Sequence, residues 1–475
     1  MTVPVFAQRV ARLVLACSIA GLSATIGAPG ASAVGPPPIN PGALPPDGNP
    51  APLNPTEPAG NPCTDTRTVE SPAHPPAQQF LGISDAWQFS RGEGQTVAVI
   101  DTGVARHPRL PNLSGRGDYV AAGDGTEDCD VHGTIVAGLI GAQPSDRDGF
   151  SGVAPDAQII SIRQTSTLYR EKGTQPDPND PKNGGGVGTT KTLAAAIRHA
   201  ADAGARIINI SLVACTSPSI NDDQLGAAVQ YAAEVKDVVI VAAAGNADPQ
   251  AAGGNQQCQG NSGVDPIHPN ADPWSNLTVA VTPAWYDKYV LSVGSVNLNG
   301  QPSQFTVPGP WVGVAAPGEE IISLDPRGGG LARATIGRNG DNPLRGTSFA
   351  VPYVSGVAAL VRARFPELSA ADVIRRIEAT AHRPPDGWNA WEGFGIVDPV
   401  AALTHAVDPN LVLEKKPSSI TGRSVQLPVP PNPPPPDSTS RDVALIGTAV
   451  IAVLGVLGYL ASFPIRRRLG VRDDL

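Results

Sequence analysis

Four side chains in this 475-residue sequence have types and settings suited to acyl transfer. Asp101 directly follows the apolar run Thr96-Val97-Ala98-Val99-Ile100, and Thr102-Gly103 then turns the chain. A carboxylate there stands at a strand's carboxyl end; the ordinary alternative is a turn-forming Asp. His132 opens His132-Gly133-Thr134-Ile135-Val136-Ala137-Gly138, where Gly133 leaves room for a close backbone approach. A structural role is the ordinary one for a lone histidine, and the chain has only seven. Ser348 lies in Gly346-Thr347-Ser348-Phe349-Ala350-Val351-Pro352, in the first turn of an expected helix. Unpaired N–H groups and the helix dipole favour negative charge there, which suits an oxyanion. The alternative is a plain capping serine. Pro352 is expected to be tolerated because a first turn has no ladder bond to lose. Asn246, in Ala244-Gly245-Asn246, could donate its amide to the same oxyanion or simply serve a tight turn. Asp, His, Asn and Ser occur in that order, each at a strand end or helix start with glycine nearby.

The elements that must position them are short and alternating. Residues 96–100, 158–162, 206–210, 238–243 and 289–293 are rich in Val and Ile and apolar nearly throughout. Strands covered on both faces have that composition. Helices are expected over 132–140, 189–203, 222–235, 348–365 and 370–381. The alternation predicts an α/β domain with a mainly parallel sheet, whose active site gathers beyond the carboxyl ends of the strands.

Composition limits the partners and the compartment. A net charge of -9 and the lack of a basic stripe argue against nucleic acid. Arg9 and Arg12 precede an apolar run, then Ala31-Ser32-Ala33, which predicts a signal peptide over 1–33. Residues 442–463 predict one transmembrane helix. Arg466, Arg467, Arg468 and Arg472 follow, so the tail 464–475 is expected to be cytoplasmic and the bulk of the chain outside. A Pro-rich extension over 34–80 cannot fold alone, and a Pro-rich linker over 408–441 should hold the body away from the bilayer. Once Cys17 leaves with the signal peptide, Cys63, Cys129, Cys215 and Cys258 remain. Two disulfides are the default outside the cytoplasm, and three pairings are open. The loop at 165–189 reads as a solvated insertion; its acidic residues do not justify a calcium site, and no metal or other cofactor is assigned.

The strings Val99-Ile100-Asp101-Thr102-Gly103, His132-Gly133-Thr134, Ala243-Ala244-Gly245-Asn246 and Gly346-Thr347-Ser348 resemble the signature segments of the subtilisin-like serine proteases. The resemblance covers about 81–407. It implies a three-layer domain, a triad of Asp101, His132 and Ser348, and Asn246 in the oxyanion hole. It also implies that Ser211, Leu212 and Val213 line the pocket for the residue before the scissile bond. The layout of arm, four cysteines, spacer, single helix and Arg cluster resembles a narrower group, the mycosins, membrane-anchored subtilases of mycobacterial type VII secretion systems. That implies pairs Cys63–Cys129 and Cys215–Cys258. It also implies residence at the inner membrane facing the periplasm, beside secretion components, with secreted proteins as substrates. The alternative function is a structural subunit of the secretion complex, with proteolysis dispensable.

Two departures from the family stand out. Val213 takes a place where glycine is usual, so a restricted pocket is expected. Residues 34–80 are too short and Pro-rich for a folded inhibitory pro-domain, so the arm is expected to stay attached and leave the site open.

Overall fold

The computed structural model describes residues 35–69, 75–174, 186–218, 220, 222–248, 258, 261, 272–275, 277–337, 340–416 and 439–468. The expected signal peptide, the acidic centre of the insertion at 176–181, most of the linker and the tail beyond 468 lie outside the described residues.

Seven strands form the central sheet: β1 (Thr96–Asp101), β2 (Leu113–Asp118), β3 (Gln158–Arg163), β4 (Ile207–Ile210), β5 (Val239–Ala243), β6 (Val290–Val296) and β7 (Val312–Pro317). Their spatial order is β7-β6-β5-β4-β1-β3-β2, and every neighbouring pair is parallel. Successive side chains on a strand point to opposite faces. Val97 and Val99 therefore enter one core with Val239, Val241 and Val293, while Ala98 and Ile100 enter a second core with Ile208, Ile210 and Ile240. Helices His132–Gly141 and Thr347–Arg364 cover the first face, and Thr190–Asp202 and Asp223–Gln230 the second. The result is three layers. Burial of each Val or Ile contributes about 1.5–3 kcal/mol, which is why the strands inside the sheet are mostly apolar.

The helix expected over 222–235 is α-helical only to Gln230 and finishes as a π-helical turn, Tyr231–Val235. Strands β2 and β7 were not expected. The first is an edge strand of mixed polarity, and the second is built largely of small residues.

The N-terminal arm is woven into the body. Thr56–Pro58 pairs antiparallel with Tyr169–Glu171, so part of the insertion is a strand and not simply a loop. Asp65–Thr68 pairs antiparallel with Leu331–Gly337. A disulfide joins Cys63 to Cys129, and a second joins Cys215 to Cys258. The body also reaches past both expected borders. Helix Pro76–Phe80 buries Ala77 in the first core, ahead of residue 81. Beyond residue 407, the Lys415 ammonium donates to the Trp311 carbonyl and faces Asp287 and the buried Glu378.

Thr439–Arg468 is a separate 30-residue helix. The span Ser440–Ile465 contains an 18-residue stretch with a mean hydropathy of 2.4, long and apolar enough to cross a membrane. It runs two residues past the expected 442–463 at each end, and at the C-terminal end Pro464 lies inside the helix and does not end it.

Candidate active site

Each candidate side chain stands at the end of an element. Asp101 is the last residue of β1 and is fully buried. His132 begins its helix immediately after Val131, which adopts φ 67°. That backbone region is costly for a β-branched residue, and such strain collects where a neighbouring side chain must be aimed. Gly133 is required by space: a Cβ there would lie 2.0 Å from the Gly103 carbonyl oxygen. This close approach brings the Asp101 turn against the histidine helix. Ser348 is the second residue of Thr347–Arg364, after Gly346 at φ 149°.

The three side chains converge. His132 Nδ1 lies 2.7 Å from Asp101 Oδ1, and His132 Nε2 lies 3.0 Å from Ser348 Oγ. Asp101 Oδ1 also accepts from the Thr102 N–H at 2.7 Å. The tautomer follows: Nδ1 carries the proton toward the carboxylate, leaving Nε2 to accept from the hydroxyl. Burial disfavours a charged imidazole, but Asp101 above all, with Asp128 and Asp130 further off, more than offsets this and raises the His132 pKa.

Ser348 departs from expectation in its support. Pro352 falls in the second turn, so its missing N–H does remove a ladder bond, the one owed to the Ser348 carbonyl. The Ser211 hydroxyl fills the gap, donating to that carbonyl at 2.8 Å. Asn209 Nδ2 donates to the Ser211 hydroxyl, and the Ser355 hydroxyl donates to Asn209 Oδ1. Asn209, Ser211 and Ser355 are all buried. Ser211 lines the cleft as expected, yet its hydroxyl is spent on the nucleophile's own backbone. Sequence reasoning missed Asn209 and Ser355; the signal was the orphaned carbonyl that a proline at 352 implies. Ser211→Ala leaves that carbonyl buried without a donor. The expected loss is about 1–3 kcal/mol in denaturant unfolding, with a rate loss of about tenfold as the nucleophile shifts.

Asn246 follows β5 and is buried. Its Oδ1 accepts from the Thr347 N–H at 2.9 Å and from the Thr347 hydroxyl at 3.0 Å. Those two bonds fix the amide orientation and leave Nδ2 as the donating side. Asn246, His132 and Ser348 share one cleft of about 820 Å³. Leu212 and Val213 line it half-buried, and Thr64 from the arm lines it as well. Every sequence-predicted site residue outside the disulfides therefore borders one cavity or sits directly behind it.

This geometry is that of a serine hydrolase on a parallel α/β sheet. A family model described as the Subtilase family matches residues 92–395, and the chain belongs to that family of serine endopeptidases. Within it the chain groups with the mycosins. Mycosin-4 of Mycobacterium tuberculosis is 46% identical over 471 residues, 98% of each chain. A crystal structure of MycP1 from the ESX-1 type VII secretion system is 46% identical, with a TM-score of 0.72 over 81% of this chain and 98% of that one. A chain in the structure of an intact ESX-5 inner membrane complex is 43% identical, with a TM-score of 0.73 over 90% of this chain and all of that one.

Proposed function

We propose that this chain is a membrane-anchored endopeptidase that cuts secreted proteins by a Ser348–His132–Asp101 acyl-enzyme mechanism, in association with a type VII secretion complex. The observation that carries the chemistry is the pair of contacts at 2.7 Å and 3.0 Å that line up carboxylate, imidazole and hydroxyl. His132 Nε2 takes the hydroxyl proton as Ser348 Oγ attacks the scissile carbonyl. Asp101 holds the imidazolium that forms. The Asn246 amide and the Ser348 N–H receive the oxyanion. When the tetrahedral intermediate collapses, His132 passes its proton to the leaving amine. Water then repeats the sequence on the acyl-enzyme, and the acid product leaves.

The anchoring reading rests on Thr439–Arg468, and its Arg-rich end agrees with a body outside the cytoplasm. The link to secretion rests on the likeness to chains of ESX-1 and ESX-5 systems. The likeness to a subunit of an intact membrane complex also supports a second reading, a scaffold role beside the chemistry. Complementing a deletion strain with a Ser348→Ala copy separates the two. If cleavage alone matters, secreted proteins stay uncut and secretion fails. If secretion returns while cleavage stays absent, the scaffold role is the essential one.

The substrate pocket carries its own test. Val213 narrows the cleft beside Leu212. Val213→Gly is expected to raise kcat/KM for peptides with a large aromatic residue before the scissile bond by about 10- to 100-fold, the range that a few methylenes of pocket space provide. Brisk cleavage of such peptides by the unaltered chain would contradict a restricted pocket.

A further inference from the structure

A second carboxylate stands behind the triad, and the mechanism above does not use it. Asp128 Oδ1 accepts from the Thr102 hydroxyl at 2.8 Å. Its Oδ2 accepts from the Thr134 N–H at 2.8 Å and from the Thr134 hydroxyl at 2.6 Å. Each of those hydroxyls also receives a backbone N–H from the opposite element. Gly133 N donates to Thr102 Oγ1 at 2.9 Å, and Ala105 N donates to Thr134 Oγ1 at 2.8 Å. Thr102 and Ala105 belong to the turn after Asp101, and Gly133 and Thr134 to the helix that His132 opens. The two hydroxyls cross-link these elements, and Asp128 supplies the acceptors that both require.

We propose that Asp128 is a positioning residue: it clamps the Asp101 turn to the His132 helix, and its charge supports the imidazolium formed during attack.

The chemistry of the cluster requires an acceptor-only group. Both threonine protons point at Asp128, because an ionised carboxylate can only accept. An asparagine offers one oxygen. The Thr134 pair of donors claims it, and the amide NH₂ then faces Thr102 Oγ1, so the Thr102 proton loses its acceptor. The bond that is lost is the Thr102 donation from the Asp101 turn, and any replacement must run in reverse. Asp128 is also held from the far side. It precedes Cys129, which is bonded to Cys63, and the Cys129 carbonyl accepts from the Thr64 N–H at 2.9 Å. The arm therefore pins the loop that carries the clamp.

The charged groups facing His132 are Asp101 from β1, and Asp128 and Asp130 from the loop ahead of its own helix. From the serine helix it meets the Ser348 hydroxyl and the Phe349 ring, 5.2 Å between centroids. Burial pushes the Asp128 carboxyl up to about 7, against the pull of its Thr134 and Thr102 hydrogen bonds. Its charge therefore changes in the range where the imidazole works. Removing a negative charge lowers the His132 pKa, so the free-base form should persist to lower pH.

The inference rests on His132 being the general base for Ser348. The test uses the full chain in detergent micelles and a fluorophosphonate, which reports Ser348 reactivity without a known substrate. Inactivation rate and half-saturation are measured over about pH 5–9. For Asp128→Asn the maximal inactivation rate should fall about tenfold or more, half-saturation should stay within about twofold, and the acid limb should move down by about half a pH unit. Thr102→Val keeps the Asp128 carboxyl and cuts the clamp, while losing one of the hydrogen bonds that favour its charged form. It should lose rate and move the limb down by no more than Asp128→Asn does. An Asp128→Asn protein with the parental limb and rate overturns the proposal, and so does one that melts earlier yet reacts normally per folded molecule. If Asp128→Asn does not fold, Thr102→Val decides, and a parental rate there overturns the clamp. An unaltered chain that fails to react overturns the triad reading itself, which is a distinguishable outcome.

Discussion

Ser348→Ala should abolish peptide cleavage while the protein melts at nearly the parental temperature. Loss of the triad serine costs about 10⁶ in kcat, a value that comes from subtilisin, a relative by family, and not from this chain. The fold should tolerate the change. Ser348 Oγ has one side-chain contact of note, His132 Nε2, and the carbonyl that ties the residue to Ser211 is backbone and survives. The loss therefore belongs to the reaction. A proteomic comparison of cleaved termini, with a thermal melt of the same preparation, checks both halves. Full cleavage by the variant would end the triad account.

Asn246→Ala is the second large effect. The side chain has two jobs. Its Oδ1 anchors the Thr347 N–H and hydroxyl, one residue before the nucleophile, and its Nδ2 is the expected oxyanion donor. Losing one such donor costs about 10²–10³ in kcat, again a subtilisin value. Asn246→Asp separates the jobs. It keeps an acceptor for Thr347 but replaces the donor with negative charge, so it should be at least as damaging as alanine in kcat and milder in stability. KM should change little in both, since the oxyanion exists only in the transition state. A KM effect without a kcat effect would reassign Asn246 to substrate binding.

The parallel sheet was readable because its inner strands are covered on both faces. Val97, Ala98, Val99 and Ile100 alternate between two cores, and most of the positions facing either core are apolar. β2 escaped because it is an edge strand, Leu-Ser-Gly-Arg-Gly-Asp, with one neighbour and partly exposed residues. The arm's strands escaped for a different reason. Asp65–Thr68 has no apolar pattern and exists only through backbone pairing with Leu331–Gly337, more than two hundred residues away. Long-range pairing of that kind leaves no local mark.

The site divides in the same way. Asp101, His132, Asn246 and Ser348 lie at element boundaries with glycine nearby, and the reasons for those glycines are visible in the chain's own turns. Asp128 was passed over because an Asp in a loop is ordinary, and only the folded state shows that both its oxygens serve the two catalytic elements. The role of Ser211 was half legible. The cleft position followed from the family resemblance, but the hydroxyl's turn toward the Ser348 carbonyl required asking which donor replaces the N–H that Pro352 lacks.

The central claim is that residues 101, 132 and 348 act as one unit on the serine oxygen. The most direct measurement is peptide mapping of the full chain after reaction with a fluorophosphonate, alongside His132→Ala. A single adduct on the Ser348 oxygen, strongly slowed when the imidazole is removed, is the predicted result. An adduct on another serine, or one at Ser348 that forms equally fast without His132, would contradict it.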